Sequence, residues 1–215
     1  KAQTLKLSFE GVPKDVLIIG KNKYGSRTFF GDNWPTRAQQ WFACNDHLSD
    51  KATLEFIVHA PKHYEVVANG ELISIKKNKE NKTYHYHSSI ELPTKIMVIG
   101  VADMHIEEAG IIEGKTINSC VYPKHKKEAL YDFALAPSIL KFYSDYIAPY
   151  EYEKLDNVQS TTRFGGMENA GCIFYDEHAL DGTRSSETLI AHEIVHQWFG
   201  NSATEKDWCH LWLSE

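Results

Sequence analysis

The sequence predicts an α+β fold: an antiparallel β-rich amino-terminal domain over 1–121 followed by the start of a mixed α/β domain over 122–215. Three observations predict it. Apolar and polar residues alternate through the first half, an Asn-Gly pair sits between two strand-like runs, and after residue 121 the apolar spacing changes to values near three.

In the first half, Leu5-Leu7-Phe9 and Leu54-Phe56-Val58 alternate with polar residues as half-buried strands do. Tyr64 to Ala68, then Asn69-Gly70, then Glu71 to Ile75 reads as a β-hairpin, because both central residues tolerate positive φ. Thr83 to His87 and Ile96 to Val101 supply further strands. In the second half, Leu130, Phe133, Leu140, Tyr143 and Tyr146 predict helix across 124–147, kinked or split by Pro137. Leu155 to Gln159 and Cys172 to Tyr175 read as strands flanking a glycine-rich segment. A helix capped by Ser185 or Ser186 runs through Phe199 and stops at Gly200. A last helix, Asp207 to Glu215, places Trp208, Leu211, Trp212 and Glu215 on one face.

Composition narrows the function classes. An apolar content of 42% with 12% aromatics suffices for a packed core. A net charge of −6 leaves no basic excess for a phosphate backbone, so nucleic acid is not an expected partner, and Lys76-Lys77-Asn78-Lys79 reads as a solvated turn. No apolar run approaches the roughly 18 residues of a membrane-spanning segment. The chain opens on Lys1 with no apolar h-region, so any signal peptide or anchor is expected to be removed or absent, and the compartment is left open. Cys44, Cys120, Cys172 and Cys209 are scattered and read as free, buried thiols.

His192-Glu193-Ile194-Val195-His196 is an H-E-x-x-H motif. On a helix the two histidines project from one face a turn apart and can share a cation. A hydrolytic zinc takes three protein ligands and keeps one position for water. Glu215, nineteen residues beyond His196, completes H-E-x-x-H-x(18)-E. Its place on an apolar helix face is costly for a carboxylate unless it is coordinated. One Zn2+ on His192, His196 and Glu215 is therefore expected, with Glu193 as general base, since its side chain leaves the helix about 100° from His192. His85 and His87 share a strand face but read as surface or satisfied histidines.

The second cluster is Phe164-Gly165-Gly166-Met167-Glu168-Asn169-Ala170-Gly171. Its glycines leave room for another backbone, and an extended edge can take a substrate peptide by strand addition. A carboxylate at Glu168 would bind the protonated α-amine and fix where that peptide ends.

Together these residues resemble the aminopeptidase N family of gluzincins. Gly165-Gly166-Met167-Glu168-Asn169 matches its exopeptidase motif, with Gly166 where aminopeptidases often have Ala, a form that looks like the branch containing leukotriene hydrolase. The zinc block His192 to Asn201 and Trp212-Leu213-Ser214-Glu215 match as well, with Ser214 where Asn is common. Trp34-Pro35-Thr36, Phe42 to Asp46 and Lys51-Ala52-Thr53 resemble the family's amino-terminal β-domain; Ala43 replaces a usual Pro, and Trp34 stands where relatives often carry a Gln or Glu that assists amine binding. The resemblance implies a thermolysin-like catalytic domain, a zinc aminopeptidase activity on peptides, and a carboxy-terminal helical region of the same polypeptide, missing here, that carries an oxyanion-stabilising tyrosine. An epoxide hydrolase on the same scaffold and a non-catalytic binding module are the alternatives. A fragment ending at Glu215 is expected to hold zinc weakly and to show little activity.

Overall fold

The computed structural model describes residues 3–124 and 126–215. In chain order its strands are β1 (Leu17–Lys21), β2 (Arg27–Gly31), β3 (Ala52–Pro61), β4 (Glu65–Ala68), β5 (Glu71–Lys77), β6 (Asn81–Leu92), β7 (Ile99–Ala102), β8 (His105–Ile112), β9 (Lys115–Val121), β10 (Lys154–Ser160), β11 (Gly166–Met167) and β12 (Cys172–Asp176). The helices are α1 (Lys126–Phe133), α2 (Ala136–Tyr146) and α3 (Glu187–Val195). The β-rich first part and the helix-bearing second part are those of the expected α+β fold.

The strands form three sheets: β1-β2-β7-β4 and β3-β6-β5, both antiparallel, and β11-β12-β10-β9-β8, in which β10 runs parallel to β9 and β12. β6 shows why alternation was informative, since Tyr84, Tyr86 and Ser88 turn inward while His85 and His87 face out. β10 is buried along its whole length, as a central parallel strand is. The third sheet takes β8 and β9 from the amino-terminal side of the expected 121/122 boundary.

The Asn69-Gly70 hairpin does not form. β4 pairs with β7 and β5 with β6, so the two residues carry the chain from one sheet into the next. Gly70 has φ 78°, and a Cβ there would lie 2.2 Å from the His87 carbonyl oxygen. The Asn69 amide donates to the carbonyls of Ile96 and Ala170, each at 2.8 Å, and its oxygen accepts from the Val98 N–H. Partners distant in sequence have overridden a local turn signal that is correct about φ and wrong about pairing.

Leu5-Leu7-Phe9 is a second departure. It joins no sheet among the described residues, and Leu5 and Phe9 are 82% and 67% exposed. Alternation marks a strand only where an edge exists to receive it. Thr94–Ile96 is a short 3-10 turn that delays the predicted Ile96 strand to β7. Proline splits the long helix as expected: Pro137 lies in the first turn of α2, where a missing N–H costs nothing. Phe133 and Leu140 enter the core with Leu155, Ile173, Tyr175, Ile190 and Ile194, while Tyr146 stays exposed.

α3 stops at Val195 and not at Phe199, with His196 as its C-cap. Ser186 holds the N-cap position, but its hydroxyl donates to the Ala179 carbonyl and not to the helix. The final segment is a 3-10 helix over Trp208–Leu213 with no buried residue. Cys44 is half-buried, Cys120 and Cys172 are buried, and all four thiols are free, but Cys209 is exposed and so departs from the buried reading.

Candidate metal and amine site

α3 presents its polar residues on two sides. Glu193 points inward with Ile190 and Ile194, and His192 points out. One turn on, His196 is buried, and its Nδ1 lies 3.1 Å from the Phe199 carbonyl, which the chain turns back after α3 ends. A carbonyl can only accept, so Nδ1 carries the proton and Nε2 is left with a lone pair. The Nε2 atoms of His192 and His196 are 3.0 Å apart, and Glu215 Oε2 is 3.9 Å from each. Donor atoms of these three residues all lie within 4.8 Å of one another.

Two imidazoles and a carboxylate at this separation suit a tetrahedral zinc with one position open. The surrounding charge agrees. Burial, then Glu168 and Glu215, push the Glu193 carboxyl up to about 9. The Glu168 carboxyl is also raised, by burial above all and against the pull of His196. The His192 imidazole is held below its ordinary value by burial and by His196. Two carboxyl groups, Glu193 and Glu168, held toward neutrality beside two imidazoles form a site to which a divalent cation brings compensating charge.

Glu215 does not lie on a buried apolar face as its sequence neighbours predict. The Glu215 side chain is 57% exposed and Trp212 is 69% exposed, so the apolar face that was to bury the carboxylate is open to solvent. The 3-10 pitch of Trp208–Leu213 spreads these side chains around the turn and not along one stripe. What brings Glu215 to the histidines is its position in space, and burial contributes nothing.

β11 lies on the edge of the third sheet, with Gly166 opposite Tyr175 and Met167 opposite Phe174. Beyond it Glu168 and Asn169 are buried, and Asn169 closes the turn by accepting the Cys172 N–H. The Glu168 backbone is held from α3's C-terminal side: its carbonyl accepts from Gln197 Nε2 at 3.0 Å and from Asn201 Nδ2 at 2.6 Å. Gln197 Oε1 in turn accepts the Gly171 N–H at 2.9 Å. Glu168 Oε1 itself is buried without a hydrogen-bond partner. Gly166 has a specific steric task, since a Cβ there would lie 2.2 Å from the Glu193 carboxyl group. At Gly165 a Cβ would make only ordinary contact with Leu189.

These residues line one cavity of about 370 Å³, bounded by Trp34, Phe164, Gly165, Gly166, Met167, Glu168, Leu189, His192, Glu193, His196 and Glu215. A larger cavity of about 630 Å³ lies between residues 9–14 and 39–43, shares no lining residue with this one, and includes no histidine or cysteine in its lining. The cavity brings together His192, Glu193, His196, Glu215 and Gly165 to Glu168, whereas Asn169, also singled out in the sequence, is buried in the turn behind it and is not among the lining residues. Sequence reasoning missed Gln197 and Asn201, which follow the second histidine at offsets that no metal-ligand spacing marks.

Comparison with known proteins gives matches in both halves. Residues 3–96 match the Peptidase M1 N-terminal domain and residues 131–215 the Peptidase family M1 domain. A leucyl aminopeptidase of Saccharolobus solfataricus is 28% identical over 98% of this chain and 28% of its own length. A glutamyl aminopeptidase of Rattus norvegicus is 30% identical over 86% of this chain and 21% of its own. Aminopeptidase M1-A of Oryza sativa subsp. japonica is 29% identical over 99% and 26%. The chain spans about a quarter of the length of these relatives.

Proposed function

The chain belongs to the M1 peptidase family, and from that membership we propose that the protein it is part of is a zinc-dependent aminopeptidase acting on peptides. The observation that carries the proposal is the buried Glu168 carboxylate, whose Oε1 has no hydrogen-bond partner, in the cavity bordered by His192, His196 and Glu215. A metallopeptidase needs the latter three. An enzyme that counts from a free amino terminus needs, beside these three ligands, a further carboxylate free to take the ammonium group.

In this reading His192, His196 and Glu215 hold one zinc ion, and a zinc ion so held lowers the pKa of water and polarises a carbonyl. Glu193 takes the proton of the attacking water and returns it to the leaving amine. For that it must be ionised at neutral pH, and a neighbouring cation opposes the burial that otherwise keeps it protonated. Glu168 receives the α-ammonium group. The open edge of β11 pairs with the substrate backbone, and Gln197 and Asn201 hold the Glu168 segment in place.

The test is made on the full-length protein with aminoacyl anilides, their N-acetylated forms and a lipid epoxide side by side. Turnover confined to free-amine substrates is expected, with Glu168→Gln lowering kcat/KM about 100-fold, the scale of a lost charge-assisted contact. Equal cleavage of acetylated substrates would remove the amine role. Turnover of the epoxide alone would move the chemistry to that alternative, and zinc-free, inactive protein would leave only a binding module.

A further inference from the structure

Lys95 is fully buried, yet it comes from the β-rich half of the chain. Its Nζ donates to Glu205 Oε2 at 3.0 Å and to Ser214 Oγ at 3.1 Å, and it lies 5.1 Å from the centre of the Trp34 ring. The acceptor Ser214 is also buried and immediately precedes Glu215. Trp34 is a wall of the cavity that contains Glu168 and Glu215. A single ammonium group thus touches the segment carrying the third proposed ligand and backs the aromatic wall of the substrate cavity.

The turn that presents Lys95 is fixed by three side chains, those of Asn33, Asp46 and Asn69. Asn33 Nδ2 donates to the carbonyls of Thr94 at 2.8 Å and Met97 at 2.6 Å, and Thr94 Oγ1 donates to Asp46 at 2.6 Å. Asn69 donates to the Ile96 carbonyl, as described above. Lys95 therefore stands on a rigid base, whereas the segment it grips is a 3-10 turn without a buried residue of its own over Trp208–Leu213. Glu215, the residue after Ser214, has a side chain 57% exposed.

A buried ion pair such as Lys95–Glu205 adds little net stability compared with apolar residues of similar volume, so its use lies in fixing geometry. We infer that Lys95 is a positioning residue for metal binding: through Ser214 it sets Glu215 against His192 and His196, making the β-rich half a working part of the metal site. The inference rests on the zinc reading of these three residues given above. Groups that orient metal ligands are worth about 10- to 100-fold in metal affinity.

The experiment measures the zinc dissociation constant of the full-length protein by competition with a chelator, together with the thermal midpoint of the metal-free form. Two variants are compared with the parent. Ser214→Ala removes only the hydroxyl that Lys95 grips, and Lys95→Met with Glu205→Leu removes both buried charges together while filling their space. Zinc binding weaker by about tenfold in each, with an unchanged metal-free midpoint, is the expected result. Unchanged affinity in both variants, or a loss matched by an equally lowered metal-free midpoint, would overturn the positioning role. Should the double variant not fold, Ser214→Ala decides alone. A parent protein that binds no zinc, or that keeps its zinc in His196→Ala, would instead sink the underlying assignment of the site.

Discussion

Asn69→Ala removes the side chain that ties three parts of the molecule together. Asn69 is fully buried, and its amide holds the Ile96 and Ala170 carbonyls at 2.8 Å each while its oxygen takes the Val98 N–H. Each buried backbone group left unpaired costs about 1–3 kcal/mol, so three such losses total about 3–9 kcal/mol. The space vacated by the carboxamide is polar and can admit one water, which restores one or two of the bonds. That places the expected loss at about 4 kcal/mol. Equilibrium urea denaturation followed by tryptophan fluorescence measures it directly, with the unchanged slope confirming that compactness is preserved. Asn69→Asp is the informative companion, because a carboxylate still accepts from Val98 but faces two carbonyls it cannot satisfy. Its loss should be at least as large. A change under about 1 kcal/mol in both would refute the claim that this side chain joins the sheets to the site segment.

Gly70→Ala should destabilise by more than about 2 kcal/mol, because positive φ and the His87 carbonyl oppose it together. Gly25→Ala, at φ 88° but with nothing within 4 Å, should cost only about 1 kcal/mol in the same denaturation assay. Glu193→Gln in the full-length protein should keep its zinc by elemental analysis while kcat falls about 1,000-fold, and undiminished turnover would end its role as base. Asp15 titrates below its ordinary value because Arg163 and then Arg37 pair with it. A lowered folded-state pKa adds stability above the unfolded value and loses it as pH falls through the folded one. The difference in denaturation midpoint between the parent and Asp15→Asn should accordingly narrow as pH falls below the ordinary aspartate value of about 3.9.

The candidate site was more legible in the sequence than the fold that carries it. His192, His196 and Glu193 come from one helix, where spacing dictates which side chains share a face, and Glu168 comes from a glycine-marked segment. Glu215 was found by its spacing, but the reason offered for it, burial on an apolar face, fails because a 3-10 turn has a different pitch from an α-helix. Asn69-Gly70 shows the limit in the fold: its φ requirement is local and readable, whereas β4 pairs with β7 and β5 with β6, partners that the dipeptide itself does not encode. Leu5-Leu7-Phe9 has the strand pattern without a described partner edge. Gln197, Asn201 and Lys95 were invisible for the same reason, since each acts through a contact that sequence spacing does not encode.

The central claim is that His192, His196 and Glu215 form one metal site with Glu193 and Glu168 beside it. Elemental analysis of the full-length parent, Glu193→Gln and His196→Ala tests it most directly. The account predicts one zinc per chain in the first two and none in the third. A full zinc complement in His196→Ala would contradict it.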